Sequence, residues 1–239
     1  MDDLLSNVLD AYGGLDRWNA FNELAVKSAT GGPFWASKGI PENHGWGNVT
    51  IRTAQEWTSI SPYDAPDHRM TFTPERVVIE DFDHRLVQEL SDPRAAFAGY
   101  GEHAYWDIPR RAYFNGYALW TYLATPFLLA LPGVQAQEAA PWYEDGEVWR
   151  VLQVVLPDSL ASHSSEQRFY FGPDYLLRRQ DYHLDVSGKA RVAHYVSDHA
   201  EVQGLRFPTR RHAYARGVDD EPDRNRLLVW IRFTDFRLR

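Results

Sequence analysis

The sequence predicts a mainly β chain: a curved antiparallel sheet of about eleven strands with an N-terminal helix and a central helical plug. Three observations carry this. Apolar and polar residues alternate with period two through most of the chain after Phe21. Short turn signals such as Pro74-Glu75, Gly172-Pro173-Asp174, Ser187-Gly188 and Gln203-Gly204 separate the alternating runs. One stretch, Ala112 to Gln137, holds no charged residue and interrupts the pattern.

The first element is a helix, because Leu4, Leu5, Val8, Leu9 and Tyr12 recur at helical spacing and Gly13-Gly14 stops them. Strands follow near 23–30, 48–60, 67–73, 75–81, 84–90, 148–156, 165–172, 176–186, 190–199, 205–216 and 226–238. So many strands with short connections form a meander, which curls or closes rather than staying flat. The uncharged stretch is long enough to raise a membrane span. Asn115, Gly116, Thr121, Thr125, Pro126 and Pro132 argue instead for a buried helix, broken near Pro126, that packs on the mouth of the sheet. No membrane contact is expected.

The 239 residues show no linker or repeat, so a single domain over residues 1–239 is expected. A net charge of -8 argues against nucleic acid, which is bound largely by neutralising phosphates with Lys and Arg. The chain has no cysteine, which removes disulfides, thiolate metal sites and cysteine nucleophiles together. The opening Met1-Asp2-Asp3-Leu4-Leu5 is acidic and then amphipathic, unlike a secretory leader, which predicts a cytoplasmic chain. Nine Trp, thirteen Tyr and twelve Phe suit both a thick core and a ligand cavity.

Ala11-Tyr12-Gly13-Gly14 with Trp18, and the late Gly204-Leu205-Arg206-Phe207-Pro208, resemble stretches of the lipoprotein-sorting superfamily of the LolA and LolB type. Tyr195-Val196-Ser197-Asp198-His199 and Phe207-Pro208-Thr209-Arg210-Arg211 are similar to recurrent stretches in a group of bacterial proteins with that fold. The resemblance spans nearly the whole chain and points to a cytoplasmic branch of the superfamily. It implies a half-barrel whose concave apolar face is closed by helices, a face the sorting proteins use to carry lipid acyl chains.

The sequence lacks G-x-S-x-G, P-loop, H-E-x-x-H and G-x-G-x-x-G motifs, so no cofactor is expected. His163 and Glu166 have metal-ligand spacing only on a helix; on a strand they face opposite ways, so no metal site is expected. Register read from the turns sorts the late strands into two faces. A two-residue turn at Ser187-Gly188 sets Tyr182 opposite Ala193 and Gln180 opposite Tyr195; one at Gln203-Gly204 sets Tyr195 opposite His212 and Ser197 opposite Arg210. One face, with Glu166, Arg168, Arg179, Asp181, His183, His194 and Asp198, reads as solvated. The other is expected to be concave, with His163, Phe169, Phe171, Arg178, Gln180 and Tyr182 binding the ligand and Tyr117 and Trp120 of the central segment completing the lining.

Tyr195, His199, Arg210 and His212 fall on that same face, on which these strands place no carboxylate. Two functions follow. The first is binding of a hydrophobic small molecule, lipid-like or polyketide-like, with an acidic, carbonyl or phenolic end. The alternative is a cofactor-independent isomerase, cyclase or hydrolase, in which His199 or His212 moves a proton and Tyr195 or Arg210 stabilises the oxyanion. A third reading makes the Ala112–Gln137 segment a docking surface.

Overall fold

The computed structural model describes residues 3–41 and 43–239. Helix α1 (Asp3–Ala11) buries Leu4, Leu5, Val8 and Leu9, the apolar stripe its spacing predicts. It stops at Gly13, whose left-handed backbone (φ 108°) lies so close to Gly204 that a Cβ there would meet the Gly204 carbonyl oxygen at 2.1 Å. A short helix, α2 (Leu15–Asn19), leads into β1 (Glu23–Gly31), and α3 (Pro33–Ser37) separates β1 from β2 (Asn43–Arg52). The strands β3 (Thr58–Ser61), β4 (His68–Thr73), β5 (Arg76–Asp81) and β6 (Leu86–Ser91) complete a first meander.

After α4 (Ile108–Ala124) a second meander runs through β7 (Gln135–Glu144), β8 (Glu147–Val155), β9 (Glu166–Phe171), β10 (Leu177–Leu184), β11 (Ala190–Val202), β12 (Leu205–Arg216) and β13 (Pro222–Leu238). All thirteen strands form one antiparallel sheet in the order β6-β5-β4-β3-β2-β1-β13-β12-β11-β10-β9-β8-β7. The two meanders join where the first strand pairs with the last, Leu24 with Leu238 through Gly31 with Trp230. The sheet is curved and open, with β6 and β7 at its edges.

Thirteen strands replace the expected eleven for two reasons. The 48–60 run is two strands, because the chain bends through 53–56 before β3. The edge strand β7 lacks apolar alternation and carries Pro141 at an irregularity between Ala139 and Trp142, as edge strands tolerate. Helix α4 begins earlier than the uncharged stretch, capped by the Asp107 carboxylate accepting from Arg110 N at 2.9 Å. It ends at Ala124, before Pro126 halts the helical path, and a 3-10 turn over Phe127–Ala130 follows. No helix among the described residues is long and apolar enough to cross a membrane. Instead α4 lies against β3, β4, β5 and β6. Thr58 donates to the Gly116 carbonyl at 2.9 Å within this contact.

Register decides which side chains face the core. The β11–β12 pairing is the expected one, with Tyr195 opposite His212 and Ser197 opposite Arg210. The β10–β11 pairing is shifted by one residue, with Tyr182 opposite Val192 and Gln180 opposite His194. Its cause is local. A 3-10 turn over Asp185–Ser187, followed by left-handed Gly188 (φ 62°) and Lys189 (φ 57°), makes a five-residue connection where a two-residue turn was expected. The shift reverses β11 and β12: Val192, His194, Val196, Arg211 and Ala213 turn inward, and Tyr195, Arg210 and His212 turn outward. Strand β9 pairs Phe171 with Leu177, and an irregularity before Arg179 sets the facing, so that Phe169, Phe171, Gln180 and Tyr182 lie inside.

Candidate ligand cavity

A cavity of about 430 Å³ lies between α4 and the inner face of the sheet. Phe114, Ala118, Leu119 and Tyr122 of α4 form one wall, Phe34 and Trp35 of α3 another, and Val49, Ile60, Leu184, Val192, Ala213 and Ile231 the sheet side. These side chains are mostly apolar because both α4 and the inner positions of the strands are selected for burial. Gly47 keeps part of the space open: a Cβ there would touch the Ile60 side chain only at an ordinary 3.7 Å. Arg111, Asp64, Tyr63 and Asn115 stand along one margin of this space. Arg111 pairs with Asp64 at 3.0 Å and donates to the Tyr63 hydroxyl at 3.1 Å.

Tyr122, Tyr182 and His194 give the wall a polar patch, and they end a buried hydrogen-bonded chain. The Tyr117 hydroxyl meets His163 Nδ1 at 3.2 Å, and His163 Nε2 meets the Tyr122 hydroxyl at 2.6 Å. Tyr122 contacts the Tyr182 hydroxyl at 3.1 Å, and Tyr182 contacts His194 Nδ1 at 3.0 Å. The His163 and Tyr182 rings also stack at 4.1 Å. Burial holds both imidazoles well below their ordinary range, so both are neutral at pH 7. Among the described residues His194 Nε2 has no partner.

Arg211 lies beside this chain with no exposed surface. Its Nη2 donates to the Tyr122 carbonyl at 2.8 Å, and its guanidinium sits 4.5 Å from the centre of the Tyr122 ring. Among the described residues its Nε and Nη1 have no partner. Burial lowers its pKa to about 10, still cationic at neutral pH.

Of the residues expected to bind a ligand, Tyr182 lines the cavity, and His163 and Tyr117 extend its hydrogen-bonded chain. Phe169 and Phe171 are buried in the main core, and Gln180 donates to Gln167 at 2.7 Å. Trp120 is buried with its indole N–H on the Arg52 carbonyl at 3.0 Å. Arg178 pairs with Asp174 at 2.9 Å and Glu147 at 3.3 Å. The four residues given catalytic roles do not meet in the cavity. Tyr195 donates to Glu144 at 2.6 Å and packs on an outer cluster of Trp149, Val151 and Tyr170; its strand neighbours Arg210 and His212 share that outer face. Arg210 pairs with Asp198 at 2.8 Å with both side chains about half exposed. His199 lies apart, with Nε2 at 3.1 Å from the Tyr12 hydroxyl. The one-residue shift explains the exchange: His194 and Arg211, each next to an expected residue, took the inner positions. Tyr122 was signalled only by its place in the uncharged segment.

No protein-family model matches the sequence, and no curated protein matches it. Solved structures do share its architecture. A LolA superfamily protein from Nitrosomonas europaea is 12% identical with a TM-score of 0.54, over 98% of this chain and 92% of that one. The fold is LolA-like. A DUF1329 family protein from Desulfovibrio piger aligns with a TM-score of 0.55 at 10% identity, over 98% of this chain and 91% of that one. A Vibrio parahaemolyticus domain described as an outer-membrane lipoprotein-sorting protein aligns at 0.52 and 10% identity, over 98% of this chain and 92% of that one. Sharing the LolA-like fold with such a domain overturns the cytoplasmic location expected from the opening residues.

Proposed function

We propose that the chain binds one hydrophobic small molecule, lipid-like or polyketide-like, in the cavity between α4 and the inner face of the sheet. The observation that carries this reading is the combination of an apolar wall with one polar patch, Tyr122, Tyr182 and His194. Its volume falls within the range of small-ligand sites, about 300–1,000 Å³. The patch offers neutral imidazole and phenol groups and no carboxylate, so the polar end of the guest is an acid, a carbonyl or a phenol. Among the described cavity-lining residues the only carboxylate is Asp64, and Arg111 already faces it.

Native mass spectrometry of the full chain purified from its own host tests this. A single hydrophobic guest per chain is expected; repeated recovery of the empty chain, with no adduct from a panel of fatty acids and aromatic polyketides, would overturn it.

A second reading, catalysis without a cofactor, rests on one observation: an imidazole at the end of a hydrogen-bonded chain forms part of the cavity wall. Under it, His194 would move the proton, in place of His199 or His212. Recovery of the guest chemically altered after incubation, and unaltered with His194→Gln, would support it.

A further inference from the structure

We infer that the guest is polar at both ends: an acyl-type chain whose inner end meets the patch of Tyr122, Tyr182 and His194, and whose outer end is a neutral hydroxyl held at the margin by Tyr63, Asp64, Arg111 and Asn115. The inference rests on the cavity being the guest site. It adds a second polar group and sets the length of apolar chain between the two.

The length comes from α4. Arg111, Asn115, Ala118, Leu119 and Tyr122 all line the cavity. They recur at the three- and four-residue spacing of one helix face, and the helix is unbroken from Ile108 to Ala124. Arg111 and Tyr122 therefore stand about 16 Å apart along it, at about 1.5 Å per residue. Between them the helix contributes Phe114, Ala118 and Leu119 to the cavity wall, all apolar. One cavity thus has polar groups at each end and hydrocarbon contacts on α4 between them. A guest with a single polar end would leave one of the two sets facing a methyl group.

The chemistry of the outer end follows from what the margin leaves unused. Arg111 donates through Nε to the Tyr63 hydroxyl at 3.1 Å and through Nη2 to Asp64 Oδ1 at 3.0 Å. Its Nη1 has no partner among the described residues, and it is not sealed away as the unpartnered nitrogens of Arg211 are. Asn115 donates Nδ2 to the same Tyr63 hydroxyl at 3.3 Å, which leaves its Oδ1 without a partner among the described residues. Burial raises the Tyr63 pKa to about 12, so the phenol keeps its proton at neutral pH. Since that oxygen accepts both bonds, its own O–H is left to donate. Asp64 Oδ2 likewise has no hydrogen-bond partner among the described residues. The margin offers donors and acceptors together, and the charges of Arg111 and Asp64 cancel. A second carboxylate would meet Asp64, and an ammonium would meet Arg111. A hydroxyl both donates and accepts, and it carries no charge.

Calorimetric titration of the lipid-stripped full chain with dodecanoic and ω-hydroxydodecanoic acids tests this, because their extended length is about the separation that α4 sets. A terminal hydroxyl weakens binding to a purely apolar wall; here it is expected to tighten binding about tenfold. The octanoic and ω-hydroxyoctanoic pair, too short to reach both ends, is expected to show no such gain. In Asn115→Leu and in Arg111→Met the gain is expected to disappear while dodecanoic acid still binds. Equal or weaker binding of ω-hydroxydodecanoic acid by the wild-type chain, an equal gain for the octanoic pair, or a gain that persists in both variants overturns the bipolar guest and leaves the cavity reading standing. The wild-type comparisons decide the matter even if a variant fails to fold. If none of the four acids binds, the cavity reading falls as well.

Discussion

At the outer face Arg179 is gripped by Asp181 through two bonds, Nε to Oδ1 at 2.7 Å and Nη2 to Oδ2 at 2.8 Å, with the Tyr170 hydroxyl donating to the same carboxylate at 2.9 Å. Removing Asp181 leaves the buried guanidinium with a single carboxylate partner, Glu144 at 3.1 Å. Asp181→Ala is therefore expected to cost about 3–5 kcal/mol in urea denaturation; a loss below about 1 kcal/mol would mean the pair is solvated. Burial holds His163 and His194 well below 6.5 and His199 at about 4, so the unfolded chain takes up these protons first as pH falls. Their contribution is complete above about pH 6.5 and is lost as pH drops toward about 4. Glu56 acts in the opposite sense. Burial pushes its carboxyl from 4.5 to about 8, so its contribution declines as pH rises through that window. Glu56→Gln should raise Tm near pH 8 and change it little near pH 5; an equal shift at both would contradict this. At this scale the sequence was partly legible: Tyr182, His163 and Tyr117 reached the buried chain. Tyr195, Arg210 and His212 did not, because an alternating strand gives every residue one of two faces and only the turn chooses between them.

Elements were easier to read where period and punctuation agreed. The first helix, its glycine stop and the break near Pro126 follow directly from residue types. The five-residue connection after β10 was not legible as such, since Ser187-Gly188 also fits a two-residue turn and only packing selects between them. Strand β7 was invisible because its pairing partner, rather than its own pattern, makes it a strand. Helix α4 offers the sharpest test at this scale. A Cβ on Gly116 would meet Phe72 Cγ at 2.3 Å and Cβ at 2.4 Å, so α4 and β4 touch without room for a methyl group. Alanine favours a helix interior by about 1 kcal/mol over glycine. Overpacking costs about 1–3 kcal/mol. Gly116→Ala is expected to lower the urea midpoint; an increase would show that α4 can move off the sheet.

For the whole molecule the β1–β13 seam matters most, because it joins strands about two hundred residues apart in the chain into one sheet. Curvature of an unbroken antiparallel sheet was foreseeable from strand number and turn length, whereas the seam depends on contacts distant in sequence. With the first and second meanders sharing that seam and α4, calorimetry should show one cooperative unfolding transition; two separable transitions would mean the halves fold independently. The curved sheet, α3 and α4 line the cavity that we propose as the guest site. Its most direct test is stoichiometric binding of hexadecanoic acid by the full chain and by Gly47→Leu, which places a side chain in the cavity where a Cβ meets only ordinary contacts. One guest per wild-type chain is predicted, with affinity reduced at least about tenfold in the variant at unchanged Tm; equal binding by both chains would place the guest elsewhere.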